Sequence, residues 1–306
     1  MRLSSDPDRP RCSSEALARD EPLFATASLV TTWLLIEQPG AWGQDALLDS
    51  RFPSDRARPL LPQAASLGIR ILLVRLREKE ESAPVAFLAH SGGDGMAPAM
   101  VSGEVSDPAD LIDLDLEGLA EGRIPDFGQP VEGPLYLVCT HGRHDICCAD
   151  KGRPLFRAMS ELLPDQTWET SHIGGDRFAG NLVVLPRGDY FGRLEPVDSE
   201  KLAVEYQARR LDLEHHRGRS IQPRMVQAAE HYLRVERSLP GFDDLDLVEY
   251  RRPEQHHAEV VFRDLARRTF RVGVMARSLP DPVFLTCRAG EAGRPVAYVL
   301  VSIEDG

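Results

Sequence analysis

The chain of 306 residues carries 48 acidic and 36 basic residues, which gives a formal net charge of −12. Its content of 42% hydrophobic and 27% charged residues is ordinary for a globular protein, and its length predicts two or three folded units. Nucleic acids and anionic membranes need a basic binding face, so the acidic balance argues against both as partners. An acidic surface suits a basic protein partner, or simply keeps the protein in solution.

The polar N-terminal segment lacks the apolar core of a secretory signal. No stretch of the chain approaches the roughly 18 uninterrupted apolar residues of a membrane helix. We therefore expect a cytoplasmic protein. Thiols stay reduced in that compartment, so clustered cysteines there indicate a metal or catalysis more often than a disulfide.

The first half of the chain predicts a strand, a helix, a strand, two further strands and a helix. These elements are expected at 31–40, 54–68, 69–76, 84–93, 99–105 and 107–122. Asp107 is a candidate N-cap of the last helix.

The second half repeats this order of elements. They are expected at 133–142, 151–164, 167–174, 181–185, 190–194 and 198–213. Two parallel strands joined by a helix should cross over right-handed, and the hairpin adds two antiparallel strands. This order is the thioredoxin-like arrangement, and we expect it twice in tandem, over 1–125 and 126–215.

The remaining segment, 216–306, predicts a third module with a helix at 223–236. Met225, Ala229 and Tyr232 share one face of that helix. Alternating apolar residues then predict strands at 259–262, 269–277, 282–287 and 297–303. The predicted fold class is therefore α/β (α+β), with two thioredoxin-like units in tandem followed by a C-terminal helix and β-meander.

One short stretch, VCTHGRHDICCAD at 138–150, holds three of the five cysteines and two of the nine histidines. Cys139 ends a predicted strand, which is where open α/β sheets collect their ligands. Cys147 and Cys148 come just before the helix expected from Lys151, and the N-terminus of a helix favours thiolate. Thiols in this position are poor candidates for the protein core.

A second stretch, SHIGGDRFAGN at 171–181, follows the next predicted strand. Adjacent parallel strands end at the same edge of a sheet, so His172 and Asp176 should approach Cys139. Gly174 and Gly175 allow a sharp turn close to a bulky group. This mixture of thiol, imidazole and carboxylate fits a metal with soft ligands, with Arg143, Gly174, Gly175 and Arg177 around the cofactor and His141 and His144 nearby. A zinc site would need a tighter repeat, such as paired C-x2-C, which the stretch lacks.

CTHGRHDICC followed by HIGGDRFAGN resembles the sucrase/ferredoxin-like family, whose members are thioredoxin-like ferredoxins. The resemblance covers about 133–195, and WLLIEQPGAWG (33–43) and LVSIE (300–304) resemble its bacterial members. It implies a [2Fe–2S] cluster held by two cysteines and by the two histidines of a His-x3-His motif.

Mapped onto this chain, that motif supplies Cys139, Cys148 and His172 as ligands. The chain departs from the family at the last position, where Asp176 stands in place of the second histidine. Asp176 and Cys147 are equal candidates for the fourth ligand. Cys12 and Cys287 are other candidates, although single cysteines in such places are usually structural.

The resemblance implies an electron carrier that exchanges electrons with a redox partner protein, either a flavin-dependent reductase or an acceptor. Two alternatives stay open. One is a cluster enzyme with a substrate site at the iron, which a cavity beside Asp176 would favour over a shallow, exposed cluster edge. The other is a thiol oxidoreductase or peroxidase, which the lack of C-x-x-C at the turn and of a proline in TWETSHIGGDRF disfavours.

The first unit has no cysteine in its equivalent loop, QPGAWGQDALLDS at 38–50. We therefore expect the first unit to bind no cluster and to act as a scaffold or docking face. Trp42 in this loop is expected to plug the interface between the halves.

Overall fold

A computed structural model describes residues 9–52, 55, 57–76, 83–93 and 95–306. The first half of the main sheet, from residues up to 130, contains five strands: β1 Thr32–Glu37, β2 Ile69–Arg75, β3 Val85–His90, β4 Ala99–Glu104 and β5 Gln129–Pro130. The second half, from residues 135–219, contains five more: β6 Leu135–Cys139, β7 Thr167–Thr170, β8 Leu182–Leu185, β9 Asp189–Phe191 and β10 His216–Arg219. The ten strands form one continuous sheet in the order β10-β9-β8-β6-β7-β2-β1-β3-β4-β5.

The two halves of this sheet have the same topology. In the first, β1 and β2 are parallel, and β3 and β4 follow antiparallel on the other side of β1. In the second, β6 and β7 are parallel, and β8 and β9 follow antiparallel beside β6. The predicted tandem of thioredoxin-like arrangements is confirmed.

The apolar run TWLLIE forms β1, whose side chains alternate between two buried cores. Trp33 and Leu35 belong to a core that also contains Leu137 of β6, so this core crosses both halves of the sheet. Leu34 and Ile36 face the opposite side and pack in a second core. Successive side chains of a strand point to opposite faces, and all six residues of β1 are buried. Both faces of the strand are therefore covered.

The two halves join where β2 pairs antiparallel with β7. Only two residue pairs connect these strands, Val74 with Thr170 and Arg75 with Glu169, and the second pair also forms an ion pair. Both pairs lie at the carboxyl ends of their strands. The loops that follow the parallel strands of the two halves are therefore brought together at this junction.

In the described part of the chain, seven α-helices surround the sheets: α1 Cys12–Ala18, α2 Ala46–Asp49, α3 Leu60–Ser66, α4 Leu116–Ala120, α5 Ile146–Leu162, α6 Ser199–Gln207 and α7 Arg224–Arg237. The predicted helix 54–68 corresponds to α3. Two residues of the predicted range, Ser54 and Arg56, lie outside the described residues. The helix expected at 107–122 is interrupted: a 3-10 helix, Pro108–Asp113, precedes α4, and Asp107 caps it as expected. Among the described residues, no helix has the length and apolar content needed to cross a membrane.

The predicted start of α5 near Lys151 is wrong. The helix begins at Ile146, and the side chain of Asp145 caps it by accepting a hydrogen bond from the amide of Cys147. Cys147 and Cys148 therefore lie in the first helical turn and not in the preceding loop.

The C-terminal segment forms a second sheet of four antiparallel strands: β11 Leu245–Glu254, β12 His257–Asp264, β13 Thr269–Ser278 and β14 Val296–Asp305. Helix α7 packs on this sheet, and its residues Met225 and Ala229 are buried against Val260 and Val272. The predicted strand at 282–287 is wrong: this segment is a loop with a single bridge, between Val283 and Gly293. Strand β11 was not predicted from the sequence.

Candidate metal centre

Three predicted ligands come together at the carboxyl edge of the second half of the sheet. Cys139 ends β6, Cys148 lies in the first turn of α5, and His172 lies in the loop after β7. One potential ligand atom from each lies within 4.8 Å of the others. Both thiols are buried, because β6 and α5 carry them into the core that crosses the sheet.

Asp176 joins this group from the start of the 3-10 helix Asp176–Phe178. Its Oδ1 lies 3.2 Å from the Sγ of Cys148, which donates to it, and 3.1 Å from Nδ1 of His172. The side chain of Asp176 is only 2% exposed. The structure thus places two thiols and an imidazole in one compact group, with the carboxylate of Asp176 against Cys148 and His172.

The electrostatics of this group keep His172 and Asp176 charged in the absence of a metal. Burial alone would lower the pKa of His172, but hydrogen bonding and attraction to Asp176 and Cys139 raise that pKa to about 9. Burial alone would raise the pKa of Asp176, and His172 outweighs it, so this pKa is lowered. Cys148 and His172 stabilise the thiolate of Cys139 and lower its pKa, against the effect of burial.

Cys147 faces away from this group. Its Sγ lies 3.6 Å from that of Cys12 and 3.3 Å from that of Cys287. Of the two equal candidates for the fourth ligand, Asp176 is therefore the one that lies with Cys139, Cys148 and His172.

His144 is a neighbour that the sequence analysis placed around the site but not among its ligands. Its ring stacks on that of His172 with 3.8 Å between centroids, and it forms a compact group of potential ligands with His172 and Asp176. The loop also meets the first half of the chain: a ring nitrogen of His141, Nε2, lies 3.0 Å from the carbonyl oxygen of Gly43. Trp42 is buried beside it, with its ring edge-on to His141 at 5.7 Å.

The two glycines of the HIGGD motif turn the chain around a buried arginine. Gly174 and Gly175 have φ of +95° and +83°, and a Cβ on Gly175 would lie 2.3 Å from Nη2 of Arg217. The guanidinium of Arg217 donates to the carbonyl oxygen of Gly174 at 3.0 Å and to Oδ1 of Asn181 at 2.8 Å. The bulky group beside this turn is thus Arg217, which the sequence analysis missed because it lies 42 positions after Gly175.

The two arginines expected around the cofactor differ in their contacts. Arg143 is exposed on the loop before α5. Arg177 donates to Glu21 at 2.6 Å, and its guanidinium lies over the ring of Phe178. Arg177 thus ties the site's loop to the segment before β1.

A cavity of about 420 Å³ opens beside the histidines of the site. His141, His144 and His172 lie on one wall, and Arg70 of β2 and the segment 44–49 of the first half lie on the other. The side chain of His172 is 21% exposed, whereas Cys139 and Asp176 are buried. The accessible edge of the site is therefore its histidine edge.

The donor set fits an iron–sulfur cluster or another soft metal. Thiolate and imidazole are ligands that such metals prefer, and a carboxylate can complete the set. Nδ1 of His172 is buried and pairs with the carboxylate of Asp176 at 3.1 Å. A buried imidazole and carboxylate beside two thiols form a donor set that a metal ion would satisfy.

Comparison with known proteins gives several matches. A segment of the chain is 34% identical over 80 residues to altered inheritance of mitochondria protein 32 of Meyerozyma guilliermondii, covering 23% of this chain and 28% of that protein. Another match is 26% identical over 160 residues to chorismate synthase of Thiobacillus denitrificans, covering 49% and 42%. The chain thus spans less than half the length of either relative.

Among solved structures, a thioredoxin-like [2Fe–2S] ferredoxin from Aquifex aeolicus is 18% identical, with a TM-score of 0.27, over 30% of this chain and 97% of the ferredoxin. The model of the sucrase/ferredoxin-like family matches residues 23–218. That segment contains β1 to β9 and all four donors of the site, Cys139, Cys148, His172 and Asp176. A match of this extent means that the chain belongs to the sucrase/ferredoxin-like family.

Proposed function

We propose that the protein is a ferredoxin-like electron carrier that holds a [2Fe–2S] cluster through Cys139, Cys148, His172 and Asp176. The observation that carries this proposal is the meeting of these four donors, from β6, α5 and the loop after β7, at one sheet edge. When bound, the cluster would supply a one-electron redox couple.

The protein's own residues set the conditions for such a couple. Cys139 and Cys148 are each 1% exposed, which shields their sulfurs from water. His172 presents its imidazole at the cavity, so a proton on its second ring nitrogen can exchange with solvent. We infer that electrons enter and leave across this histidine edge, with a reductase or acceptor docked over the cavity.

Burial favours the carrier over the two enzyme alternatives. A substrate at the metal would have to displace the oxygen ligand Asp176, which is 2% exposed and lies outside the cavity lining. A thiol oxidoreductase would need a sulfur that a substrate disulfide can reach, and Cys139 and Cys148 are buried.

The first test is an absorption spectrum of anaerobically purified protein, with assays of iron and acid-labile sulfide. We expect a brown protein with about two irons and two sulfides per chain. Cys148→Ser and His172→Ala should lose the visible absorption, and His256→Ala, at an exposed histidine, should keep it.

Two outcomes contradict the proposal. A colourless protein that takes up no iron and has reactive thiols would indicate the thiol enzyme. About four irons per chain would contradict the expectation that the first half binds no cluster.

A further inference from the structure

Three cysteines from distant parts of the chain meet outside the site described above. Cys12 opens α1, Cys147 lies in the first turn of α5, and Cys287 lies in the loop between β13 and β14. Their sulfurs are separated by 3.6 Å (Cys12–Cys147), 3.3 Å (Cys147–Cys287) and 3.5 Å (Cys287–Cys12). The three thiols thus form a nearly equilateral triangle.

A carboxylate completes this group. The oxygens of Asp145 lie 3.9 and 4.0 Å from the Sγ of Cys12, and one ligand atom from each of the four residues lies within 4.8 Å of the others. The carboxylate is held in place by the amides of two of these residues: Oδ1 accepts from Cys147 at 2.9 Å and Oδ2 from Cys287 at 2.6 Å. Asp145 is fully buried.

We propose that Cys12, Cys147, Cys287 and Asp145 form a second metal site, which binds a single tetrahedral ion of the zinc class. The sulfur separations carry this assignment. Thiolates on one zinc ion at about 2.3 Å lie about 3.8 Å apart, close to the observed triangle, whereas a disulfide requires about 2.0 Å between two sulfurs.

The hydrogen-bond donors around the three sulfurs also support a metal site. The amide of Cys12 lies 3.4 Å from the Sγ of Cys287, and the hydroxyl of Ser13 donates to the Sγ of Cys147 at 3.3 Å. Donors of this kind stabilise thiolates that are bound to a metal. Among the described residues, no arginine or lysine side chain pairs with Asp145 or with the three sulfurs, so the buried acidic groups have no protein cation to balance them.

The site is closed, which is typical of a structural metal. Cys12 and Cys147 are each 1% exposed, and Cys287 is half-buried. Four protein ligands fill a tetrahedral shell and leave no position for a substrate. The ion would tie the N-terminal helix α1 and the C-terminal loop to the helix turn that also carries Cys148.

The test is elemental analysis of the full chain purified from zinc-supplemented medium, with X-ray absorption at the zinc edge. We expect about one zinc per chain, with a shell of three sulfurs and one oxygen. Cys12→Ser and Cys287→Ser should lose the zinc and keep the iron and the visible spectrum. The matched variant Cys139→Ser should lose the iron and keep the zinc.

A second measurement tests the geometry of the site in the wild-type protein. Cobalt(II), added to protein that has been stripped of zinc, should produce the intense visible bands of a tetrahedral thiolate site in wild type but not in Cys287→Ser. Protein without zinc and without these cobalt bands would overturn the proposal, whatever its iron content. Loss of iron together with zinc in Cys287→Ser would also overturn it, because the cysteines would then serve one site.

Discussion

Two neighbouring residues, Cys147 and Cys148, separate two groups of donors. Consecutive residues of a helix point about 100° apart, and in the first turn of α5 this turns Cys148 toward Asp176 and Cys147 toward Cys12 and Cys287. From the sequence both thiols were expected in a loop, with Cys148 as a ligand and Cys147 as a candidate for the fourth ligand of the same site. Once the helix begins at Ile146, a shared site for the two sulfurs is geometrically disfavoured.

Replacing Asp176 by histidine tests the fourth ligand of the proposed cluster. A carboxylate carries a negative charge that disfavours the reduced state, and neutral imidazole removes it. Asp176→His should therefore keep the iron and raise the reduction potential, by on the order of 100 mV, as measured by potentiometric titration. Asp165→His, at an exposed aspartate, is the matched control and should leave the potential unchanged. An Asp176→His protein with full iron content and an unshifted potential would exclude Asp176 as a ligand.

At the scale of elements, the turn after β7 depends on Gly175. This residue has φ of +83°, and the Nη2 atom of Arg217 would lie 2.3 Å from an added Cβ. Arg217 is held by hydrogen bonds to Thr26 and Asn181, so it has little freedom to move away. Gly175→Ala should lower the free energy of unfolding and shorten the lifetime of the visible spectrum in the presence of a chelator.

Gly68→Ala is the matched control for this substitution. Gly68 also has positive φ, +69°, but nothing lies within 4 Å of an added Cβ. The control should cost about 1 kcal/mol from backbone strain alone, and Gly175→Ala should cost about 1–3 kcal/mol more because of the clash. If urea denaturation gave equal losses of unfolding free energy for Gly68→Ala and Gly175→Ala, Arg217 would not restrict the turn.

Elements with strong local patterns were predictable, and elements decided by distant contacts were not. The buried strand β1 and the repeated strand order follow from apolar runs and their spacing. The start of α5 was placed too late because its cap, Asp145, lies within the stretch that was interpreted as a loop. The apolar run at 282–287 predicts a strand, but the segment forms a loop in which the ring of Phe284 packs under the guanidinium of Arg9.

At the scale of the whole molecule, the same distinction explains which site residues were found. Cys139, Cys148, His172 and Asp176 come from one unit, so strand order and spacing bring them together. Cys12 and Cys287 are 275 positions apart, and only the docking of the N-terminal helix and the C-terminal loop onto α5 places them side by side. The sequence reveals that these cysteines exist, but no local pattern pairs them.

Docking of the N-terminal segment also makes the stability of the molecule depend on pH. His231 of α7 stacks on Phe24, with ring centroids 4.1 Å apart, and burial, with a smaller contribution from His216, lowers its pKa to about 4. The unfolded chain binds this proton below about pH 6.5 and the folded chain does not, so the free energy of unfolding falls as the pH drops from 6.5 to 4. His231→Phe keeps the stack and should remove this loss, on the order of 2 kcal/mol once solvent screening of the partly exposed ring is allowed for. Urea denaturation at pH 7 and pH 4.5 measures the effect, with His256→Phe, at an exposed histidine, as the matched control. An unchanged pH dependence in His231→Phe would assign the acid sensitivity to other groups.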